Sequence, residues 1–186
     1  MMIEEPKFAL VRKDGAFELR DYEASVVAEV TVTGDQQEAG RKGFGLLAGY
    51  IFGGNSKHRK IAMTAPVTKI AKGEMIAMTA LVTQIAGKGD WLVRFTMPGH
   101  IALDELPIPN DQAVTIRALP PARFAILRFS GLASEAKVAD MTAKLLVIVK
   151  AQGLLPVGPS SIANYNPPWT PWFLRRNEVM FQVVAS

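Results

Sequence analysis

Ile61-Ala62-Met63-Thr64-Ala65-Pro66-Val67 returns fifteen residues later as Ile76-Ala77-Met78-Thr79-Ala80-Leu81-Val82. Within each copy Ile, Met, Ala and Val alternate with a second set of Ala, Thr and Pro or Leu, the period-2 pattern of a strand with two unlike faces. With Ala71-Lys72-Gly73-Glu74 as the turn between them, the copies read as the two strands of one hairpin. The Met and Ala alternation carries no nucleophile, proton donor or metal ligand, so the repeat speaks for fold and core rather than for chemistry.

Strand and helix patterns extend outward from this hairpin. Glu18 to Tyr22 and Val26 to Val32 read as strands. Asp35 followed by Glu38 reads as the start of a helix that Gly53-Gly54-Asn55 stops. The order then repeats: Val114 to Ala118, Arg123 to Phe129, a helix from near Ser134 to Gly153, Ser161 to Tyr165 and Glu178 to Val184, with Trp91 to Met97 bridging the halves. The expectation is an α+β fold, a twisted or distorted β-barrel built from two pseudo-symmetric ββαββ units (roughly 17–85 and 114–184) with two flanking helices, in one domain over 1–186. A flat two-layer sandwich is the alternative.

The composition narrows the function. With 186 residues, 49% of them apolar, the chain can bury a core, and its net charge of +4 is a weak signal for nucleic acid, which is not expected as a partner. The absence of cysteine excludes thiolate metal sites and cysteine nucleophiles. No apolar run is long enough to span a membrane. Met1 to Lys13 carry Glu4, Glu5 and Lys7 where a signal peptide needs apolar residues, so a soluble protein of the cytoplasm or periplasm is expected. The one dense basic cluster, Lys57-His58-Arg59-Lys60, suits phosphates or carboxylates, or a solvated loop.

The two helices differ in their outer faces. In the second, Val138, Met141, Leu145, Ile148 and Val149 form a stripe opposite Lys137, Asp140 and Lys144. In the first, Ala39, Phe44, Leu46, Leu47, Tyr50 and Ile51 face the sheet, while Arg41, Gly45, Ala48, Gly49 and Phe52 lie outward. A glycine inside a helix costs about 1 kcal/mol relative to alanine, so two of them imply a close approach, by a flat apolar ligand or by another segment of the chain. Arg41 beside that groove is a candidate carboxylate anchor. The loop from Asn166 to Asn177 holds three prolines and the aromatics Trp169, Trp172 and Phe173, and either covers a barrel end or lines an apolar cleft.

Gly43-Phe44, Leu46 to Asn55, the two Ile-Ala-Met-Thr-Ala copies, Val93 to Pro98, and Tyr165 to Trp169 with Arg175 to Val179 resemble, in this order, the SOUL haem-binding protein family. The resemblance implies a β-barrel with two helices and tetrapyrrole binding between the first helix and the loop before the last strand. Arg41 matches a basic position associated with porphyrin propionates, and Phe44 an apolar position of the same helix. Gly49 and Thr170 depart from members that carry basic residues there, and Leu81 replaces a proline.

The site expected from both readings comprises Arg41, Phe44, Gly45, Ala48, Gly49, Phe52, Trp169 and Trp172. It would hold haem or another porphyrin, or another flat apolar anion, non-covalently and without an axial ligand from the protein. His58 and His100 fall in loops and Tyr50 and Met63 in core patterns, which leaves the metal ligand unassigned. Transport, buffering or sensing of a tetrapyrrole is the expected function, and a small-molecule effector or protein-interaction module is the alternative. Glu18, Asp21 and Glu29 lack a paired histidine, and no Ser-His-Asp, HExxH or phosphate-loop pattern occurs, so an enzyme is not expected.

Overall fold

The computed structural model describes residues 3–72, 89–167 and 169–185. Strands β1 (Phe8–Asp14), β2 (Phe17–Tyr22) and β3 (Ser25–Gly34) precede helix α1 (Gln36–Ile51); β4 (Val67–Lys72), β5 (Gly89–Thr96), β6 (Thr115–Leu119) and β7 (Ala122–Ser130) precede α2 (Glu135–Ala151); β8 (Leu154–Pro156), β9 (Ser161–Asn164) and β10 (Arg176–Ala185) close the chain. The strands form an antiparallel sheet in the order β1-β2-β7-β10-β9-β4-β5-β3-β6, with β8 also pairing with β10. Among the described residues this path does not return on itself, so the expected barrel is not closed.

Both helices start on side-chain caps. The Asp35 carboxylate accepts the Gln37 and Glu38 N–H groups at 2.9 and 2.8 Å, and the Ser134 hydroxyl accepts the Lys137 N–H at 3.2 Å. They cover one face of the sheet at separate places. Leu47, Tyr50 and Ile51 of α1 pack on Ala28, Val30, Val93 and Phe95, whereas Val138, Met141, Leu145 and Val149 of α2 pack on Leu19, Leu127, Val179 and Phe181. Gly43 lets α1 approach the sheet, because a Cβ there would stand 2.4 Å from Val93 Cγ2. A residue on the opposite face lies between two such positions along each strand, and there Ile126, Ala163 and Met180 make a smaller cluster with Ala65 and Tyr165.

The opening repeat is only partly a strand. Residues 61–66 run outside any strand and β4 begins at Val67, because their backbone groups are used elsewhere: Ile61 N–H donates to Ile51 O, Ala65 N–H donates to Glu4 O, the Thr64 hydroxyl donates to Thr96 O, and Pro66 has no N–H. Ala71 and Lys72 belong to β4 rather than to a turn, and the second copy, Ile76 to Val82, lies outside the described residues. Trp91 to Met97 does not bridge the halves; β5 lies between β3 and β4. Two strands go beyond the sequence reading. β1 is an exposed edge strand with a bulge between Leu10 and Arg12, and β8 has only three residues. No helix among the described residues is long and apolar enough to cross a membrane.

Candidate functional site

Arg41, Gly45, Gly49 and Phe52 are exposed along the outer face of α1, with Phe44 and Ala48 half-buried beside them. Among the described residues, a Cβ added at Gly45 or Gly49 would meet nothing within 4 Å. Among the described residues it is Gly43, and not Gly45 or Gly49, that lets the helix pack closely. What remains is an open strip about 16 Å long from Arg41 to Phe52, at 1.5 Å per residue, flat over its glycines, with a guanidinium near one end and an aromatic ring, 60% exposed, at the other.

The loop between β9 and β10 does not bury its aromatics under the sheet. Trp169 is 83% exposed and Trp172, Phe173 and Leu174 about 60% each. Its backbone is braced locally, with Thr170 N–H donating to Pro167 O at 3.0 Å and Leu174 N–H to Pro171 O at 2.9 Å. α1 packs on β3 and β5, while the short turn Trp172–Leu174 packs near β7, so β10, β9 and β4 lie between the two supports. Both segments still belong to one end of the sheet. Val67 pairs with Phe95 and with Asn164, the last residue before the loop, and α1 runs back along β3 toward that same end.

The candidate iron ligands are placed elsewhere. His58 and His100 are exposed in loops, and the buried Tyr50 hydroxyl donates to Pro107 O at 2.9 Å. Burial raises the Tyr50 pKa against the opposing charge of Arg59, so the phenolate is disfavoured. Met63 is half-buried against the α1 core. Among the described residues no three His, Asp or Glu side chains converge as a metal site.

The strand carboxylates are tied up in ion pairs. Glu18 bonds Arg20, Asp21 bonds Arg123 through two oxygens at 2.6 and 2.7 Å, and Glu29 bonds Arg94 and Arg117. At the centre of this face, Arg20 makes paired bonds of 3.0 and 2.9 Å to the fully buried Glu178, which also accepts from Tyr165 at 2.7 Å and from Arg176. Burial and the adjacent Glu178 charge push the Tyr165 pKa far above its usual value. Burial alone would raise the Glu18 pKa, but the Arg20 and Lys13 contacts outweigh it and hold it low. The low Glu18 and high Tyr165 values hold each of these two groups in one charge state near neutrality, which suits structure rather than proton transfer.

One buried cation escaped the sequence reading. Lys69, 9% exposed, points to the helix-covered face, since its cross-strand neighbours there are Val93 and Ile162. No acid or carbonyl bonds it among the described residues, and desolvation lowers its pKa to about 8. Gly40 of α1 leaves room for it: a Cβ there would stand 3.3 Å from Lys69 Cδ. Alternation along Val67 to Ala71 hides this, because Ile70 looks like the inward residue. Separately, a cavity of about 230 Å³ lies beside the N-terminal segment, lined by Glu4, Glu23, Val26, Thr64, Met97 and Leu119 among others, and none of the expected site residues lines it.

The model of the SOUL heme-binding protein family matches residues 3–182. The chain belongs to the SOUL family. This SOUL-family chain is 29% identical over 174 residues to heme-binding protein 1 of Xenopus tropicalis, covering 91% of its own length and 85% of the frog protein. Its fold resembles the EcmrR C-terminal domain, with a TM-score of 0.64 at 10% identity over 91% of this chain and 98% of that one. It also resembles a hydrolase from Listeria innocua, with a TM-score of 0.59 at 11% identity over 94% of each. At such identities these two likenesses concern the fold alone. Family membership identifies a haem-binding family.

Proposed function

We propose that the chain binds haem or another tetrapyrrole non-covalently on the outer face of α1, in a cleft completed by the β9–β10 loop, and serves in transport, buffering or sensing rather than catalysis. The observation that carries this reading is the open space over Gly45 and Gly49, between Arg41 and Phe52. In a chain of a haem-binding family, two helix-interior glycines on which none of the described residues packs leave a flat strip where a macrocycle lies against the backbone.

Arg41 holds a propionate through its planar fork, Gly45, Ala48 and Gly49 admit the ring, and Phe44, Phe52, Trp169 and Trp172 pack on it. A bound haem supplies a flat apolar surface and two carboxylates to these residues. With the Tyr50 hydroxyl committed to Pro107 and both histidines in loops, the hold is apolar and ionic, without an axial ligand from the protein. Burying about 300 Å² at about 25 cal/mol per Å² offers about 7 kcal/mol before the cost of association, so affinity is modest and iron adds little.

The reading also takes 1–186 as one domain with related halves at about 17–85 and 114–184. The sheet order supports related halves but with a longer first one: β7-β10-β9 on one side of the β9–β4 pair mirrors β4-β5-β3 on the other, with one helix over each, which puts β5 (Gly89–Thr96) in the first half.

Titration with haemin and with metal-free protoporphyrin tests the site. Saturable spectral changes of similar affinity are expected with both, weakened about tenfold by Arg41→Ala and abolished by Gly49→Leu. Saturation by neither porphyrin sinks the reading, and unchanged affinity in Gly49→Leu moves the site off α1.

A further inference from the structure

A different property gathers at the end of the molecule where β4 begins and β9 ends. Beyond α1 the chain turns at Asn55, which is fully buried. Its amide donates to Tyr50 O and Arg59 O and accepts the Arg59 and Lys57 N–H groups. That pin fixes a short loop from which Lys57, His58, Arg59 and Lys60 all point into solvent. None of Lys57, Arg59 and Lys60 has an ion pair among the described residues, in contrast to Arg20, Arg94, Arg117, Arg123, Arg128 and Arg176.

Apolar side chains accompany these cations. Ile108, 73% exposed, is stitched to the basic loop by Ser56 N–H donating to Ile108 O at 2.8 Å and Ile108 N–H donating to Ser56 Oγ at 3.2 Å. From the same end of the sheet, the braced β9–β10 loop offers Phe173 and Leu174 with the two tryptophans, Trp172 and Phe173 meeting edge-to-face at 5.7 Å. Glu105 and Asp111, acids of the neighbouring loop, accept the N–H groups of Ala102 and Ala113.

We propose that this end docks on anionic lipid surfaces, the aromatic loop entering the headgroup layer and Lys57, Arg59 and Lys60 meeting the lipid phosphates. Rigid exposed Trp and Phe side chains suit the boundary between headgroups and acyl chains, and unpaired cations beside them suit a negative leaflet. Ile108, Lys57, Arg59 and Lys60 have no part in the proposed tetrapyrrole site, whereas Trp169 and Trp172 belong to both, so it is the basic loop that lets the two ideas fail separately.

The chain of residues 1–186 is mixed with vesicles of phosphatidylcholine alone or with phosphatidylserine, and sedimentation and tryptophan emission are read. Binding is expected only with phosphatidylserine, with a blue-shifted emission, and to weaken as salt rises. Phe173→Ser with Leu174→Ser, and Lys57→Glu with Arg59→Glu and Lys60→Glu, should each reduce vesicle binding at least tenfold, and in the basic-loop variant haemin titration stays as in the parent. Absence of sedimentation at low salt, or equal binding to both vesicles that neither variant weakens, overturns the proposal. So does a concentration-dependent dimer that both variants abolish while vesicles stay unbound, which assigns the face to a second copy of the chain.

Discussion

Two cations are buried on opposite faces of one sheet, and their surroundings could hardly differ more. Arg20 meets Glu18, Glu178 and the Tyr22 hydroxyl and lies 4.4 Å over the Phe8 ring. Lys69 meets apolar neighbours and a glycine. A guanidinium with several acceptors keeps its charge at depth, whereas an ammonium without them loses hydration and gains nothing in return. The first fixes how β2, β7 and β10 lie together; the second marks a place where the fold tolerates a cost.

The comparison breaks most clearly at Arg20. Arg20→Met leaves Glu18 and Glu178 buried with part of their hydrogen bonding lost, and a loss of about 3 to 5 kcal/mol in denaturant unfolding is expected. A loss below about 1 kcal/mol would mean that Arg176 and Tyr165 suffice for Glu178.

Lys69→Met should act in the opposite direction. The folded pKa of about 8 lies below the unfolded value of 10.5, so the unfolded chain binds more protons between these pH values and stability rises with pH across that window. Below pH 8 the folded state carries the whole penalty, about 3 kcal/mol at 1.36 kcal/mol per pH unit. Lys69→Met keeps most of the apolar stem and should be more stable than the parent by up to that amount at pH 7, the difference closing by about pH 10.5. Equal stability of the two chains at pH 7 would show that the ammonium has found a partner.

The smallest effect belongs to Gly40→Ala. A helix gain of about 1 kcal/mol is opposed by crowding against the Lys69 stem, so the single change should shift stability by less than about 1 kcal/mol. In a double-mutant cycle with Lys69→Met the two should couple by at least about 0.5 kcal/mol, and strict additivity would separate them.

Local patterns recovered much of this molecule. The helix starts at Asp35 and Ser134, the apolar faces of both helices and the strand stretches that became β2, β3, β7 and β10 depend on residues close in sequence, and each is realised. The outer face of α1 was legible for the same reason, since spacing of three or four places Arg41, Gly45, Gly49 and Phe52 together. Ile61 to Pro66 misled, because their N–H groups serve the end of α1 and the N-terminal segment, both remote in sequence.

The sequence by itself therefore determined the α+β class, the family and the chemical asymmetry of the two helices, all of which rest on short-range periodicity and ordered motifs. Only the tertiary structure decided the strand order, that Gly43 and not Gly45 or Gly49 seats α1 on the sheet, and that Arg20 is paired where Lys69, among the described residues, is not. Burial and partnership are properties of segments that meet across the sheet, and a side chain's own neighbours in sequence do not encode them.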